Sequence, residues 1–198
     1  MKKIFYLFAG VNGAGKSTLY NLAMINQNIK NTIRINTDEI VREIGDWKNN
    51  SDQLKAAKIA INLRNECFLY GKSFNEETTL TGKTILKTID RAKELGYELQ
   101  LFYVVVNSPE IAKERIKSRV KKGGHHIEND IVEKRYYESL KNLKEILLKF
   151  DKVYLYDNSK KYKNIFSFSN NKILFKDNKS ISWAKEAIEI IENNIKNK

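Results

Sequence analysis

Residues 10–18 read Gly-Val-Asn-Gly-Ala-Gly-Lys-Ser-Thr, an unbroken match to G-x-x-x-x-G-K-[ST]. An apolar run, Ile4 to Ala9, comes directly before it, and a stretch with helical spacing, Leu19, Leu22 and Ala23, directly after. A buried strand, a tight loop and a helix start in that order admit few folds. The glycines let backbone N–H groups turn inward around a phosphate, and the first helical turn adds unpaired donors and positive dipole. Gly10, Asn12, Gly13, Ala14, Gly15, Lys16, Ser17 and Thr18 are therefore the candidate nucleotide-binding residues. Lys16 is expected to reach the β- and γ-phosphates, the Ser17 hydroxyl to help hold a magnesium ion, and Thr18 to touch the α-phosphate.

The rest of the chain has the alternation that such a loop requires. Strands are expected at about 3–9, 32–36, 72–79, 98–106 and 153–156, separated by helices at about 16–25, after Asn36, at 52–70, 81–95, 109–122 and 129–149. Thr37 or Asp38, Ser51 and Asn129 stand where helix caps belong, and Asn26 to Asn31 reads as a turn. On the 52–70 helix, Leu54, Ala57, Ile61 and Phe68 form one apolar stripe. The 101–106 segment is apolar throughout, as in a central parallel strand covered on both faces. Ile165 to Phe168 and Ile173 to Phe175 flank Asn170-Asn171, a hairpin signature, and an amphipathic helix follows at about 183–195. The expectation is an α/β, P-loop NTPase fold: a five-stranded, mainly parallel sheet flanked by helices, with a C-terminal β-hairpin and helix. Residues 1–160 form the kinase-like part, with a lid at about 115–135, and residues 161–198 complete the same globular unit.

Composition excludes some classes. The longest apolar runs fall well short of the ~20 residues of a membrane span, and Lys2-Lys3 before the first strand lacks a signal-peptide cleavage site. Cys67 is the only cysteine, so no internal disulfide forms; a packed thiol and a cytoplasmic setting are expected. The net charge of +12 fits anionic ligands or nucleic acid, but the lysines are spread along the chain without a dense basic block.

Ligands of parallel sheets collect at the carboxyl ends of the strands. Asp38 follows the second strand, where a carboxylate can accept a proton from an attacking hydroxyl, hold magnesium through water, or cap a helix. Glu77 ends the third strand ahead of two threonines, either a ligand surface or a solvated strand end. Arg115 and Arg119 share a helix face, and Arg135 follows across the Gly123-Gly124 hinge. Such arginines serve a lid closing on phosphates or pair at the surface. His125 and His126 read as polar loop residues, and no Cys/His/Asp spacing makes a zinc site. A Walker-B acid is missing, since the strand that should carry it ends Val106-Asn107-Ser108; this favours small kinases over motor or switch ATPases.

With these residues in place the chain resembles the zeta-toxin family of P-loop kinases, most closely its small stand-alone branch. GVNGAGKST is similar to the family's phosphate loop. INTDEIVR (35–42) resembles N-x-D-E-I-x-R, and FNEETTLTG (74–82) resembles F-x-x-E-T-T-L-S-G. Residues 119–143 resemble R-V-x-x-G-G-H-x-V-P through R-R-Y-x-R-S-L-x-N-L, and YDNS (156–159) the end of the last strand. Glu128, Lys134 and Glu138 depart from the pattern, replacing a proline and two basic residues. The resemblance implies transfer of the γ-phosphoryl of ATP or GTP, with Mg2+, to a small hydroxylated acceptor, which for zeta toxins is a UDP-linked amino sugar. It implies Lys16, Asp38, Arg119 and Arg135 as catalytic residues, with Asp38 the base. Asp38, Arg42, Glu77 and Thr79 would line the acceptor site. It also implies an antitoxin protein as partner. A nucleic-acid-associated P-loop protein, such as an RNA or DNA end kinase or a nucleotide-gated binding module, is the second reading, and a bare regulatory NTPase the third.

Overall fold

The computed structural model describes residues 2–23, 27–124, 126–179 and 181–197. Among them, β1 (Ile4–Gly10), β2 (Ile33–Ile35), β3 (Phe74–Thr78), β4 (Glu98–Val105), β5 (Lys152–Asp157), β6 (Lys163–Ser169) and β7 (Lys172–Lys176) join in one sheet, ordered β2-β3-β1-β4-β5-β6-β7. The first five strands run parallel, β6 runs antiparallel to β5, and β7 runs antiparallel to β6. The expected five strands are all present. The hairpin does not stand apart but extends the same sheet. Asn170 and Asn171 both take positive φ, 49° and 62°, the two-residue turn that matches strand twist.

β1 and β4 are apolar nearly end to end because both faces are covered. Rings pair across the strands on both faces: Phe5 stacks on Phe74 at 4.4 Å on one, and Phe8 on Phe102 at 5.0 Å and Phe102 on Tyr154 at 4.8 Å on the other. Such cross-strand pairs hold the register. The chain leaves β1 toward β2, returns through β3, then crosses to β4. The carboxyl ends of β1 and β3 are therefore adjacent at the point where the strand order reverses. Phe8 is opposite Glu77 and Ile35 opposite Glu76, which brings the phosphate loop, the end of β2 and the end of β3 to one rim.

The helices are α1 (Lys16–Ala23), α2 (Gln27–Lys30), α3 (Thr37–Ile44), α4 (Asn50–Tyr70), α5 (Lys83–Glu94), α6 (Pro109–Lys121), α7 (Asn129–Ile146) and α8 (Ser182–Lys196). Some expectations are corrected. The segment read as a turn carries the short α2, and the last expected residues of the first helix lie outside the described residues. Asn36, not Thr37 or Asp38, caps α3, accepting from the Asp38 N–H; Asn49, not Ser51, caps α4. α7 begins at Asn129 behind Glu128, with no side-chain cap bond. On α4 the buried side is Ala56, Ala60 and Cys67, whereas Leu54 and Ile61 are 65% and 44% exposed. Small residues let this helix approach the sheet closely. Cys67 is the packed thiol expected, its pKa pushed up to about 11 by burial.

At the start of β4, Glu98 is buried, and burial alone would raise its pKa. Hydrogen bonds from Lys2, Lys152 and Gln100 outweigh that and hold it at about 2. A carboxylate held below its unfolded value contributes stability that is complete above pH ~4.5 and lost as pH falls toward about 2. Glu98→Gln is expected to cost roughly 1–3 kcal/mol at pH 7, with the gap closing between pH ~5 and ~2. Urea midpoints of both proteins across that range check this; a pH-independent gap would contradict it.

The C-terminal segment is tied in by packing. Ala184, Ala187 and Ile191 of α8 are buried, and Trp183 donates its indole N–H to Asp157 at 3.2 Å.

Candidate active site

Between the phosphate loop and α3 lies a cleft of about 990 Å³, and the sheet order decides what reaches it. Gly10 closes β1 with φ +146°; a Cβ there would lie 1.9 Å from the Val104 carbonyl oxygen of the neighbouring strand. At Gly15, φ +95°, a Cβ would meet the Asn158 amide at 2.8 Å. That amide donates to the Ala14 carbonyl at 2.8 Å, so the end of β5 clamps the loop. Arg115 of α6 secures the clamp, donating to the carbonyls of Asn158 at 2.6 Å and Ser159 at 3.2 Å. Asn12 Oδ1 and the Tyr162 hydroxyl are buried beside this loop without a hydrogen-bond partner among the described residues.

Lys16 opens α1 and donates to the Val11 carbonyl at 3.3 Å. Burial holds its pKa below the ordinary lysine value. Glu77 and Asp38 oppose that shift, while Arg119 and Arg135 reinforce it, so five charged side chains of five different elements converge on one place. Ser17 donates to the Glu77 carboxylate, 3.2 Å to Oε1 and 3.4 Å to Oε2.

Glu77 is held from the other side as well. Arg34 donates to it at 2.8 Å and Asn36 at 3.2 Å. Arg34 also grips both oxygens of Glu39, at 2.8 and 3.1 Å, reaches Asn75 Oδ1 at 3.1 Å, and lies 3.5 Å over the Tyr20 ring. Burial pushes the Glu39 carboxyl up, but the Arg34 bonds outweigh it and leave its pKa lowered. Arg34, Glu39, Tyr20 and Asn75 were not singled out from the sequence. One signal was there: a buried carboxylate needs a counter-charge, and Arg34 is the first arginine of the chain, in the strand neighbouring Glu77.

Because Asn36 serves as the α3 cap, Asp38 presents its side chain to the cleft from the first helical turn. Arg42 lies one turn further on, exposed, its Nε donating to the Asp38 carbonyl at 3.3 Å, and it does not line the cleft. Nor do Gly10 and the buried Ala14, which shape the loop from behind. Asn12, Gly13, Gly15, Lys16, Ser17, Thr18, Asp38, Glu77, Thr79, Arg115, Arg119 and Arg135 all do. Apolar side chains share the α3–α4 end, among them Val41, Trp47 and Leu54. This accounts for the exposure of Leu54.

Thr79 shares a hydrogen bond with Thr81 at 2.8 Å, in a loop fixed by α7. Leu80 is fully buried with φ +57°, and its carbonyl accepts from Asn142 at 3.0 Å. The Gly82 N–H, at the uncapped start of α5, donates to the Glu138 carboxylate at 2.8 Å. Glu138 thus supplies from another helix the cap that α5 lacks. Glu138→Ala is expected to cost roughly 1.5–3 kcal/mol in urea unfolding, with Glu138→Gln recovering part; an unchanged midpoint would remove this role.

α6 and α7 form an arm around the Gly123–Gly124 turn that carries Arg115, Arg119 and Arg135. A Cβ at Gly124 would lie 2.6 Å from the Arg119 Cγ. His125 lies outside the described residues. His126 faces Glu128 at 3.1 Å, both exposed. Among the described residues no group of three or more His, Cys, Asp and Glu side chains is placed to hold a metal ion. No described helix is long and apolar enough to cross a membrane.

A parallel sheet with a G-x-x-x-x-G-K-S loop at its switch point, a carboxylate-lined rim and an arginine-bearing arm is the build of a P-loop kinase. The sequence matches the zeta toxin family across residues 1–171, and the chain belongs to that family. It is 38% identical over 135 residues to an uncharacterized protein of Haemophilus influenzae, covering 68% of this chain and 92% of that one. Its fold is similar to that of a chain from the PezAT chromosomal toxin–antitoxin system of Streptococcus pneumoniae. The TM-score is 0.62 at 19% identity, over 99% of this chain and 86% of that one. It is also similar to a chain of the AvrRxo1-ORF1:-ORF2 complex with ATP, TM-score 0.67 at 14% identity, covering 96% of this chain and 64% of that one.

Proposed function

We propose that this protein transfers the γ-phosphoryl group of ATP or GTP to the hydroxyl of a small anionic acceptor. The observation that carries the reading is the convergence of Lys16, Asp38, Glu77, Arg119 and Arg135 on one cleft at the switch point. The loop and Lys16 bind the donor phosphates. Asp38 takes the proton of the attacking hydroxyl. Arg119 and Arg135 offset charge developing on the transferred group. Glu77 and Thr79 orient the acceptor, and Arg42, outside the cleft, holds the Asp38 carbonyl. The Ser17 hydroxyl and the Glu77 carboxylate, 3.2 Å apart, are hard oxygen donors of the type that suits Mg2+ alongside substrate phosphates. Bound there, Mg2+ supplies positive charge to the phosphate oxygens.

The mixed cleft, charged toward the loop and apolar at Trp47 and Leu54, suits an acceptor with both polar and ring surfaces. A UDP-linked amino sugar is the acceptor we propose. The family and the net charge of +12 support a further reading as the toxin of a pair, with an acidic antitoxin covering the cleft. The test is to incubate the protein with γ-labelled ATP or GTP and UDP-N-acetylglucosamine. Label on the sugar nucleotide, abolished by Lys16→Ala, is expected; label reaching only water would overturn the acceptor. The same charge keeps one alternative, a nucleic-acid end kinase. That reading requires oligonucleotide binding that collapses steeply between low and physiological salt, together with strand-stimulated turnover.

A further inference from the structure

A second cavity, of about 600 Å³, opens between α4 and α5, away from the cleft. Three cationic side chains border it: Arg64 from α4, and Lys87 and Arg91 from α5. Arg64 is 11% exposed and bidentate to Glu76, at 2.6 and 3.0 Å. Glu76 immediately precedes Glu77 and points to the opposite face of the sheet, so the cavity lies behind the strand that carries the cleft carboxylate. Among the described residues the Arg91 side chain reaches only Glu94, at 3.3 Å, with both side chains more than half exposed. Such a pair contributes little and exchanges readily. Among the described residues the Lys87 side chain has no ion pair or hydrogen bond.

The rest of the wall is polar at Asn65, Thr84 and Thr88 and apolar at Phe68, Leu69 and Leu95. Leu69 is 75% exposed at the rim, so its apolar surface is open to a ligand body. The chemistry is selective. A metal ion finds no unpaired acid here. A neutral apolar molecule would desolvate Lys87 without compensation. An extended polyanion needs a longer track of cations than these three side chains supply. A cation cluster beside an apolar wall fits a ligand with both features.

We propose that this cavity binds a small organic anion, a single phosphate, sulfonate or carboxylate carried on an apolar or aromatic body, with Lys87 and Arg91 on the anion and Phe68 and Leu69 against the body. This site is independent of the proposed phosphotransfer.

The probe is anilinonaphthalene sulfonate, titrated by fluorescence into the full-length protein while a non-hydrolysable ATP analogue saturates the cleft. Saturable one-to-one binding is expected to persist with the analogue present. Lys87→Glu and Arg91→Glu are each expected to weaken it about tenfold or more, the loss of one charge-assisted contact. Lys172→Glu, on the exposed β7, is the charge control and leaves it unchanged. Phenyl phosphate is expected to displace the probe at least about tenfold better than inorganic phosphate, since only the former has a body for the apolar wall. Displacement by the ATP analogue, equal binding in the Lys87 variant and the control, or no saturable binding would each overturn the proposal. Equal competition by both phosphates would overturn its apolar half. Unfolding midpoints confirm that the variants are folded, and Lys87→Met replaces Lys87→Glu if the latter is not.

Discussion

Asp38→Asn is expected to lower turnover roughly 10²–10⁴-fold, the range for loss of a positioned base, while nucleotide affinity stays within about a few fold. The expectation rests on how the first turn of α3 is built. Asn36 caps the helix, so the Asp38 carboxylate is not needed for that task, and the amide variant keeps nearly the same shape. Asp38 faces the cleft with Lys16 within electrostatic reach, but the loop contacts are made by other residues. Losing the carboxylate should therefore remove a proton acceptor and leave the donor site intact. Steady-state kinetics with a separate nucleotide titration checks this. A large loss of nucleotide binding would make Asp38 a metal-holding or structural group instead.

Gly10→Ala is expected to be the most damaging single methyl addition in the loop. The new Cβ would sit 1.9 Å from the Val104 carbonyl oxygen, a backbone atom of a central strand, at φ +146°. Neither strand can retreat without breaking the β1–β4 ladder that runs from Ile4 to Gly10. A loss above about 4 kcal/mol follows, enough to unfold many domains of this size. Gly82→Ala is the control. Its φ is +78° but nothing lies within 4 Å, so only backbone strain of about 1–2 kcal/mol is added. Circular dichroism and urea unfolding of both variants measure the difference; equal midpoints would mean that β1 and β4 are not packed this closely.

What the chain announced in its residues was mostly local. The loop, the apolar β4 and the Asn170-Asn171 turn each follow from the backbone needs of a few neighbours. β3 was legible only through the βα alternation around it, because Asn75, Glu76 and Glu77 make a poor strand by composition. The structure explains them individually: Asn75 and Glu77 face Arg34, and Glu76 faces Arg64. Those pairings depend on the β2–β3 register and on the packing of α4, contacts between residues 12 to 43 apart that no periodicity reveals. The face of α4 was misread for a related reason. Apolar residues occur all round that helix, so two stripes satisfy helical spacing, and only the cleft decides that Leu54 looks outward to it. Candidate site positions were legible as strand ends, but the Arg34 network that holds Glu77 was not. Arg42, placed by motif, turned to the Asp38 carbonyl.

The central claim is that donor phosphate and a small acceptor meet in one cleft. It is tested most directly by following ATP by phosphorus NMR with the protein and a pool of small hydroxylated metabolites. The account predicts that the γ-phosphate resonance decays while a new phosphomonoester resonance grows in equal amount, and that Asp38→Asn abolishes both. Decay to inorganic phosphate alone, unaffected by any acceptor, would contradict it.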